Sequence, residues 1–308
     1  TGCPVIIKPA TVTPLCTLRL AELILESGLP EGWVQVALTN RENSEKLVTD
    51  SRVAFFSFIG SAKVGWYLKS TLAPGTRCAL EHGGVAPLIF DSCEDEAGFV
   101  NGVVKASMYH SGQVCVSVQR VYVPKDRAGE IAQKIADIAN TQIVGDAIND
   151  DSDLGPLILP KETDRIEAWV NEAIAEGAKV ITGAKRINNV SYEPTVLLNP
   201  SKSSKVSTQE IFGPVVCIYD YEDINDAIKD ANSLDVSFQA AVFSDDVNLA
   251  MDVAKKLEAS AVMINDYTTF RVDWMPFAGR KHSGYGVGGI GYTMDDMLEH
   301  KMIVIKQQ

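Results

Sequence analysis

The chain has 308 residues, 46% of them hydrophobic, with a formal net charge of −12 and a pI near 4.8. That composition suits a globular protein of two domains and excludes a disordered or fibrous chain. Its acidity argues against a general affinity for nucleic acid or an anionic membrane, and no apolar run approaches the about 18 to 20 residues that span a bilayer. The opening "TGCPVIIKPA" has neither the basic region nor the apolar core of a secretory signal, so no targeting segment is expected. It lacks an initiator methionine and opens at the edge of a buried-looking strand, which points to a piece of a longer chain. Six cysteines, Cys3, Cys16, Cys78, Cys93, Cys115 and Cys217, are scattered without a CxxC pair or a nearby histidine cluster. The pattern fits a reducing cytoplasm, with no disulfide framework and no metal site.

In chain order, "PVIIK" reads as a short parallel strand covered on both faces. Thr13 is the expected N-cap, with Pro14 at the first helical position, of a helix running to a stop at Gly28. Strands at "GWVQVAL", "RVAFFSFIG" and "RCALEHGG" alternate with helices at "SEKLVTD" and "SAKVGWYLKSTLA". Repeated β-α-β units mean a doubly wound parallel sheet. A second α/β unit follows. Its helices are "EDEAGFVNGVVKASMYHSG", "RAGEIAQKIADIANTQ", "ETDRIEAWVNEAIAEGA", "INDAIKDANS" and "VNLAMDVAKKLEAS". Its strands are "RVYVP", "KVITG", "SYEPTVLLNP", "PVVCIYDY", "QAAVFS" and "AVMIND". The tail "MIVIKQQ" reads as an apolar terminal strand, which requires a partner in another chain or a distant hairpin.

Few residues stand out for chemistry. Cys115, in "SGQVCVSVQR", reads either as a small core hydrophobe or as a nucleophile. Glu81 in "LEHGG" ends a strand, where ligands of open α/β sheets collect, and reads as a general base or a surface acid at a turn. Glu210 in "TQEIFGP" has the same two readings. "GYGVGG", from Gly284, satisfies the G-x-G-x-x-G pattern but follows a polar loop instead of a strand, so a flexible loop is expected there. There is no P-loop, HExxH or GxSxG, so P-loop nucleotidase, zinc protease and serine hydrolase readings lose their usual support.

Taken together, "IIKPA", "GSAKVG", "LEHGG", "GQVC", "EIFGP" and "MPFAGRKHSG" occur in the order and approximate spacing of the aldehyde dehydrogenase superfamily, which the whole chain resembles. The resemblance implies an NAD(P)-dependent oxidation of an aldehyde to its acid. Cys115 would be the nucleophile, passing through a thiohemiacetal and a thioester, with an activated sulfur. Glu81 would be the general base, its pKa raised by an apolar setting. Lys8 would hold the adenosine ribose or its 2′-phosphate, Ser61 the pyrophosphate at a helix start, Glu210 the nicotinamide ribose, and Phe212 would pack beside it. Thr11 stands where NAD-preferring members carry a glutamate, so NADP is expected to be accepted. Arg271, in the segment lining the substrate entrance, resembles the arginine of members acting on small aldehydes with an anionic tail. A guanidinium fork suits a carboxylate, phosphonate or sulfonate, and the alternative is a surface or inter-subunit salt bridge. Val114 supplies no second cation, which counts against a phosphonate.

The implied architecture is the C-terminal part of a cofactor domain over residues 1–81, a catalytic domain over 82–285, and a return segment with an oligomerisation strand over 286–308. A homodimer or homotetramer is implied. Members of the superfamily carry further chain before "TGCP", including an asparagine that stabilises the oxyanion; losing one such donor costs about 100- to 1000-fold in kcat. These 308 residues alone are therefore expected to be nearly inactive, with an exposed, sticky sheet face. Two other readings stand beside this one. A CoA-acylating relative would need CoA, and the presence of Glu81 argues against it. A non-catalytic structural homologue need not keep Cys115, Glu81 and Glu210 together.

Overall fold

The computed structural model describes residues 1–307. It opens with β1 (Val5–Ile7), α1 (Leu15–Glu26), β2 (Val34–Val36), α2 (Arg41–Val48), β3 (Phe55–Ile59), α3 (Ala62–Thr71) and β4 (Arg77–Glu81). β1 pairs parallel with β2 and β3 with β4, each pair joined by the helical crossover that parallel neighbours require. The two pairs belong to separate sheets. Pro14, not Thr13, stands at the cap of α1, its carbonyl accepting the first helical bond from Leu18 N–H at 3.1 Å, although its own dihedrals are already helical. Thr13 instead closes the preceding turn, its N–H donating to the Ala10 carbonyl at 3.3 Å.

The chain continues through β5 (Pro87–Phe90), α4 (Glu96–Met108), β6 (Arg120–Pro124), α5 (Lys125–Ala139), α6 (Pro160–Ala175), β7 (Lys179–Thr182), β8 (Arg186–Asn188), β9 (Ser191–Tyr192) and β10 (Thr195–Leu198). Then come α7 (Lys205–Thr208), β11 (Val215–Tyr221), α8 (Ile224–Ala231), β12 (Val236–Ser237), β13 (Gln239–Phe243), α9 (Val247–Lys256), β14 (Ala261–Ile264), β15 (Arg280–Lys281), β16 (Gly284–Tyr285) and α10 (Ile290–Met297). A seven-stranded sheet in the order β14-β13-β5-β6-β11-β10-β7 forms the centre, parallel throughout except for β7.

Alternate side chains of these strands feed two cores. Leu88, Phe90, Val121, Val123, Val216 and Ile218 face one way and pack with α4 and α5. Ile89, Tyr122, Cys217, Tyr219 and Val242 face the other way, against α6, α8 and α9. Helix α5 shows why it lies there: Ala128, Ile131, Ala132, Ile135, Ala136 and Ala139 recur at helical spacing and all are buried. Burying each isoleucine contributes about 1.5 to 3 kcal/mol.

The structure departs from the sequence reading at five further places, first at β1, where Val5 and Ile6 are 44% and 49% exposed instead of covered on both faces because only β2 pairs with it among the described residues. Helix α4 ends at Met108 instead of running to Gly112, because His110, Ser111 and Gly112 take left-handed φ values of 50°, 56° and 71°. "SYEPTVLLNP" is broken into β9 and β10 around Pro194, which has no N–H for a ladder. "GYGVGG" is not a loose loop: Gly284 and Tyr285 pair antiparallel with Glu81 and Leu80, and Gly288 exchanges hydrogen bonds with Phe277 at 2.7 and 3.0 Å. The tail forms no strand among the described residues, which offer it no hydrogen-bonding neighbour; Met302 and Ile305 are 86% and 84% exposed. Gln308 lies outside the described residues.

Candidate active site

Two loops hang from the same end of adjacent parallel strands. Arg120 of β6 lies beside Cys217 of β11. Cys115 precedes β6 by five residues, and Glu210 precedes β11 by five. The ladder alone therefore brings these two candidates to one edge of the central sheet. Glu81 reaches that edge from the other side, as the last residue of β4, held between β3 and β16. The nucleophile candidate thus sits before its strand, not after it, while the carboxylate sits at a strand's C-terminal end.

The backbone ahead of Cys115 is tightly constrained. Three successive left-handed residues turn the chain out of α4, at a cost of about 1 to 3 kcal/mol for each non-glycine. Gly112 is required there, since a Cβ would overlap the Gly213 carbonyl. The buried Ser111 hydroxyl donates to the Gly155 carbonyl at 2.6 Å, and Thr268 Oγ1 to the Val116 carbonyl at 2.6 Å. Ser117 N–H donates to the Val114 carbonyl at 3.0 Å, so Cys115 rides on a turn.

The electrostatics correct one expectation. The Cys115 thiol is pushed up to about 11, first by burial and then by the carboxylates Glu210 and Glu81, with Arg271 acting weakly the other way. In this state the sulfur is a thiol, not an activated thiolate. Burial also raises Glu81, as expected, against a lowering by Arg271. Glu210 is pushed up to about 7, again by burial, opposed by Arg165. Its Oε1 is buried and has no hydrogen-bond partner among the described residues. Two glycines make room for these acids: a Cβ at Gly83 would overlap the Glu210 carboxyl, and one at Gly288 would overlap Glu81 Oε1.

Arg271 is exposed and forms no ion pair among the described residues; its guanidinium lies 4.5 Å from the centre of the Phe277 ring. Phe212 is 39% exposed with a left-handed φ of 49° and lines a small cleft with Glu210, Val114 and Gly84. Lys8 and Thr11 stay together after β1, Nζ lying 3.5 Å from Thr11 Oγ1. No hydrogen bond or ion pair ties them to the other candidates among the described residues. Ser61 caps α3 by backbone conformation, with a hydroxyl that makes no capping bond. The first turn of α3 holds Lys63 and no acid, so its free N–H groups suit an anion.

Sequence reading missed the residues that hold these groups in register. The Gln119 side chain, 5% exposed, donates to the Val206 and Gln209 carbonyls at 3.0 and 2.8 Å and accepts from Ile211 N–H at 2.9 Å. It staples the Glu210 loop to the strand that follows Cys115. Arg165 adds a bond from Nη2 to the Ile211 carbonyl at 2.6 Å. The available signal was a lone glutamine inside the apolar run after Cys115.

Against known proteins, the aldehyde dehydrogenase family model matches residues 1–303. A 3-sulfolactaldehyde dehydrogenase of Priestia aryabhattai is 38% identical over 305 residues, covering 99% of this chain and 64% of that protein. Aldehyde dehydrogenase 21 of Physcomitrella patens, solved with the reaction product succinate, superposes with a TM-score of 0.95 at 34% identity, over 99% of this chain and 63% of that one. A glyceraldehyde-3-phosphate dehydrogenase of Methanocaldococcus jannaschii, complexed with NADP, gives a TM-score of 0.92 at 32% identity, over 96% and 65%. The chain thus spans less than two thirds of the length of these relatives. With a match along nearly all of its length, an α/β core of the same architecture and the motifs in the same order, the chain belongs to the aldehyde dehydrogenase family.

Proposed function

We propose that the chain carries the nucleophile, base and dinucleotide contacts of an NAD(P)-dependent aldehyde dehydrogenase that acts on a small aldehyde with an anionic tail. The observation that carries this reading is the convergence on the Cys115 sulfur of Glu81, held at the end of β4, and Arg271, both near enough to act on it electrostatically.

Cys115 Sγ attacks the aldehyde carbon while its proton passes to Glu81, which burial makes a stronger proton acceptor than an ordinary carboxylate. Proton transfer within the site matches the high thiol pKa, since no standing thiolate is then needed. A bound nicotinamide dinucleotide supplies the hydride acceptor. Loss of hydride from the thiohemiacetal carbon leaves a thioester on Sγ. Glu81 gives its first proton to solvent and then takes one from the attacking water; collapse of that adduct releases the carboxylic acid and expels the sulfur, which recovers the proton from Glu81 as the free thiol. Ser61 with the N-terminus of α3 would hold the pyrophosphate, and Glu210 and Phe212 the nicotinamide side; the uncommitted Ser61 hydroxyl and the buried, unpartnered Glu210 Oε1 fit that use. Lys8 and Thr11 present donors and no carboxylate to the adenosine ribose, which accommodates the 2′-phosphate of NADP.

Arg271, which forms no ion pair among the described residues, supplies the fork for the substrate's anionic end. The names of similar proteins run the same way, with sulfolactaldehyde in one and bound succinate in another. The test is a steady-state assay of the full-length protein, pairing succinate semialdehyde and propanal with NAD and with NADP, with and without CoA. Turnover of the semialdehyde with NADP, absent in Cys115→Ser and independent of CoA, is the expected result. Turnover confined to propanal and NAD would discard the roles given to Arg271 and Thr11. A CoA requirement would discard the hydrolytic step.

A further inference from the structure

His82 follows Glu81 in the chain and is 2% exposed. Its Nδ1 lies 2.8 Å from the Gly60 carbonyl, which can only accept, so Nδ1 carries the proton. The neighbouring backbone closes the same contact, with Gly60 N–H donating to the Glu81 carbonyl at 3.1 Å. His82 N–H is held by the Ser283 carbonyl at 2.9 Å, and Trp66 Nε1 donates to the His282 carbonyl at 3.0 Å. The rest of the ring wedges into the first turn of α3: a Cβ at Gly65 would overlap Cε1, and Phe58 and Trp66 flank it with ring centres 6.0 and 6.1 Å away. Nε2 is buried there with no partner among the described residues. A buried imidazole with one nitrogen unmatched is a costly way to fill a core. What it provides is a donor to the carbonyl immediately before Ser61, and a rigid spacer between the end of β4 and the start of α3.

We propose that His82 is a positioning residue that fixes Gly60, Ser61 and the N-terminus of α3 relative to Glu81, and so acts on dinucleotide binding through them. This rests on the reading that α3 receives the dinucleotide phosphate. It adds that, beside the backbone bond from Gly60 to Glu81, one side chain braces the base and the phosphate site against one another.

In the full-length protein, the dissociation constants for NADP and NAD would be measured by titration calorimetry, beside kcat, both KM values and the rate of Cys115 alkylation. Losing one hydrogen bond predicts that His82→Leu weakens dinucleotide binding and raises its KM by about three- to tenfold, leaving aldehyde KM and Cys115 alkylation nearly unchanged. His82→Asn, which returns an N–H near the position of Nδ1, should recover most of that loss. Should His82→Leu not fold, Gly65→Ala presses the ring from the other side and should weaken dinucleotide binding in the same way. Unchanged dinucleotide binding in the folded variants overturns the proposal. So does an equal loss in His82→Leu and His82→Asn, which marks plain packing. Ser61→Glu separates the two layers: if it leaves dinucleotide binding intact, the phosphate reading of α3 fails and takes the proposal with it. If it abolishes binding while His82→Leu does not, only the role of His82 fails.

Discussion

Burial and two carboxylates keep Cys115 protonated, and this makes its reactivity a readout of its neighbours. With the thiol pushed up to about 11, only about one sulfur in ten thousand is thiolate at pH 7. Iodoacetamide labelling of Cys115 without dinucleotide should therefore be slow at neutral pH and climb about tenfold per pH unit well past pH 9. Glu210→Gln removes a charge that raises the pKa, so its labelling curve should move to lower pH. Arg271→Ala removes a charge that lowers it, so its curve should move higher. A plateau in the wild type near pH 8 would contradict the environment described. Arg271 also makes a substrate prediction: losing a charged hydrogen-bonding partner costs about 1.5 to 3 kcal/mol. Arg271→Ala should accordingly raise KM for succinate semialdehyde by about 10- to 100-fold while leaving KM for propanal within a few-fold. Equal effects on both would remove the anion-binding role. These residues were legible because each stands in a short motif whose neighbours are adjacent in sequence. The sulfur's protonation state was not, because it depends on carboxylates supplied by β4 and by the loop before β11.

The parallel pairing of β6 with β11 carries the site, and Gln119 converts that pairing into a fixed loop geometry. Its three backbone partners lie between 87 and 92 residues away, so no local pattern could reveal them. Replacing it with leucine leaves the Ile211 N–H buried without a partner and strips a bond from the buried Val206 carbonyl and the part-buried Gln209 carbonyl, at about 1 to 3 kcal/mol for each buried group. Gln119→Leu should therefore lose on the order of 3 kcal/mol or more in urea denaturation, and its dinucleotide KM should rise as the Glu210 loop relaxes. A loss below about 1 kcal/mol would show that the loop is held by other contacts, Arg165 first among them. Periodicity did reveal most elements: the apolar spacing of α5 and the continuous apolar run of β11 translate directly into burial. It failed where backbone conformation, not side-chain pattern, decides. The left-handed run at 110–112 ends α4 early, and the pairing of Gly284 with Glu81 turns a glycine-rich stretch into a strand.

Across the whole molecule, stability is unevenly spread. The central sheet is covered on both faces, with five successive buried residues at the start of β11. By contrast, β1 and β2 form a two-stranded sheet, α2 buries no residue and α1 buries only Ala21, leaving Leu15, Leu20 and Leu23 at 76%, 52% and 47% exposed. An isolated two-stranded unit is marginal in water, and local opening follows the density of buried apolar contacts. The strand order accounts for the difference, since β5 and β13 pair across about 150 residues of chain and so tie distant segments into one cooperative unit. Hydrogen exchange on the 308-residue polypeptide should therefore find the amides of β1, β2 and α1 exchanging orders of magnitude faster than those of β6, β11 and β13. Equal protection in both regions would mean that the first unit is covered by a second copy of the chain. Repeating the measurement over a range of protein concentrations separates the cases, because protection by association grows with concentration and intrinsic stability does not.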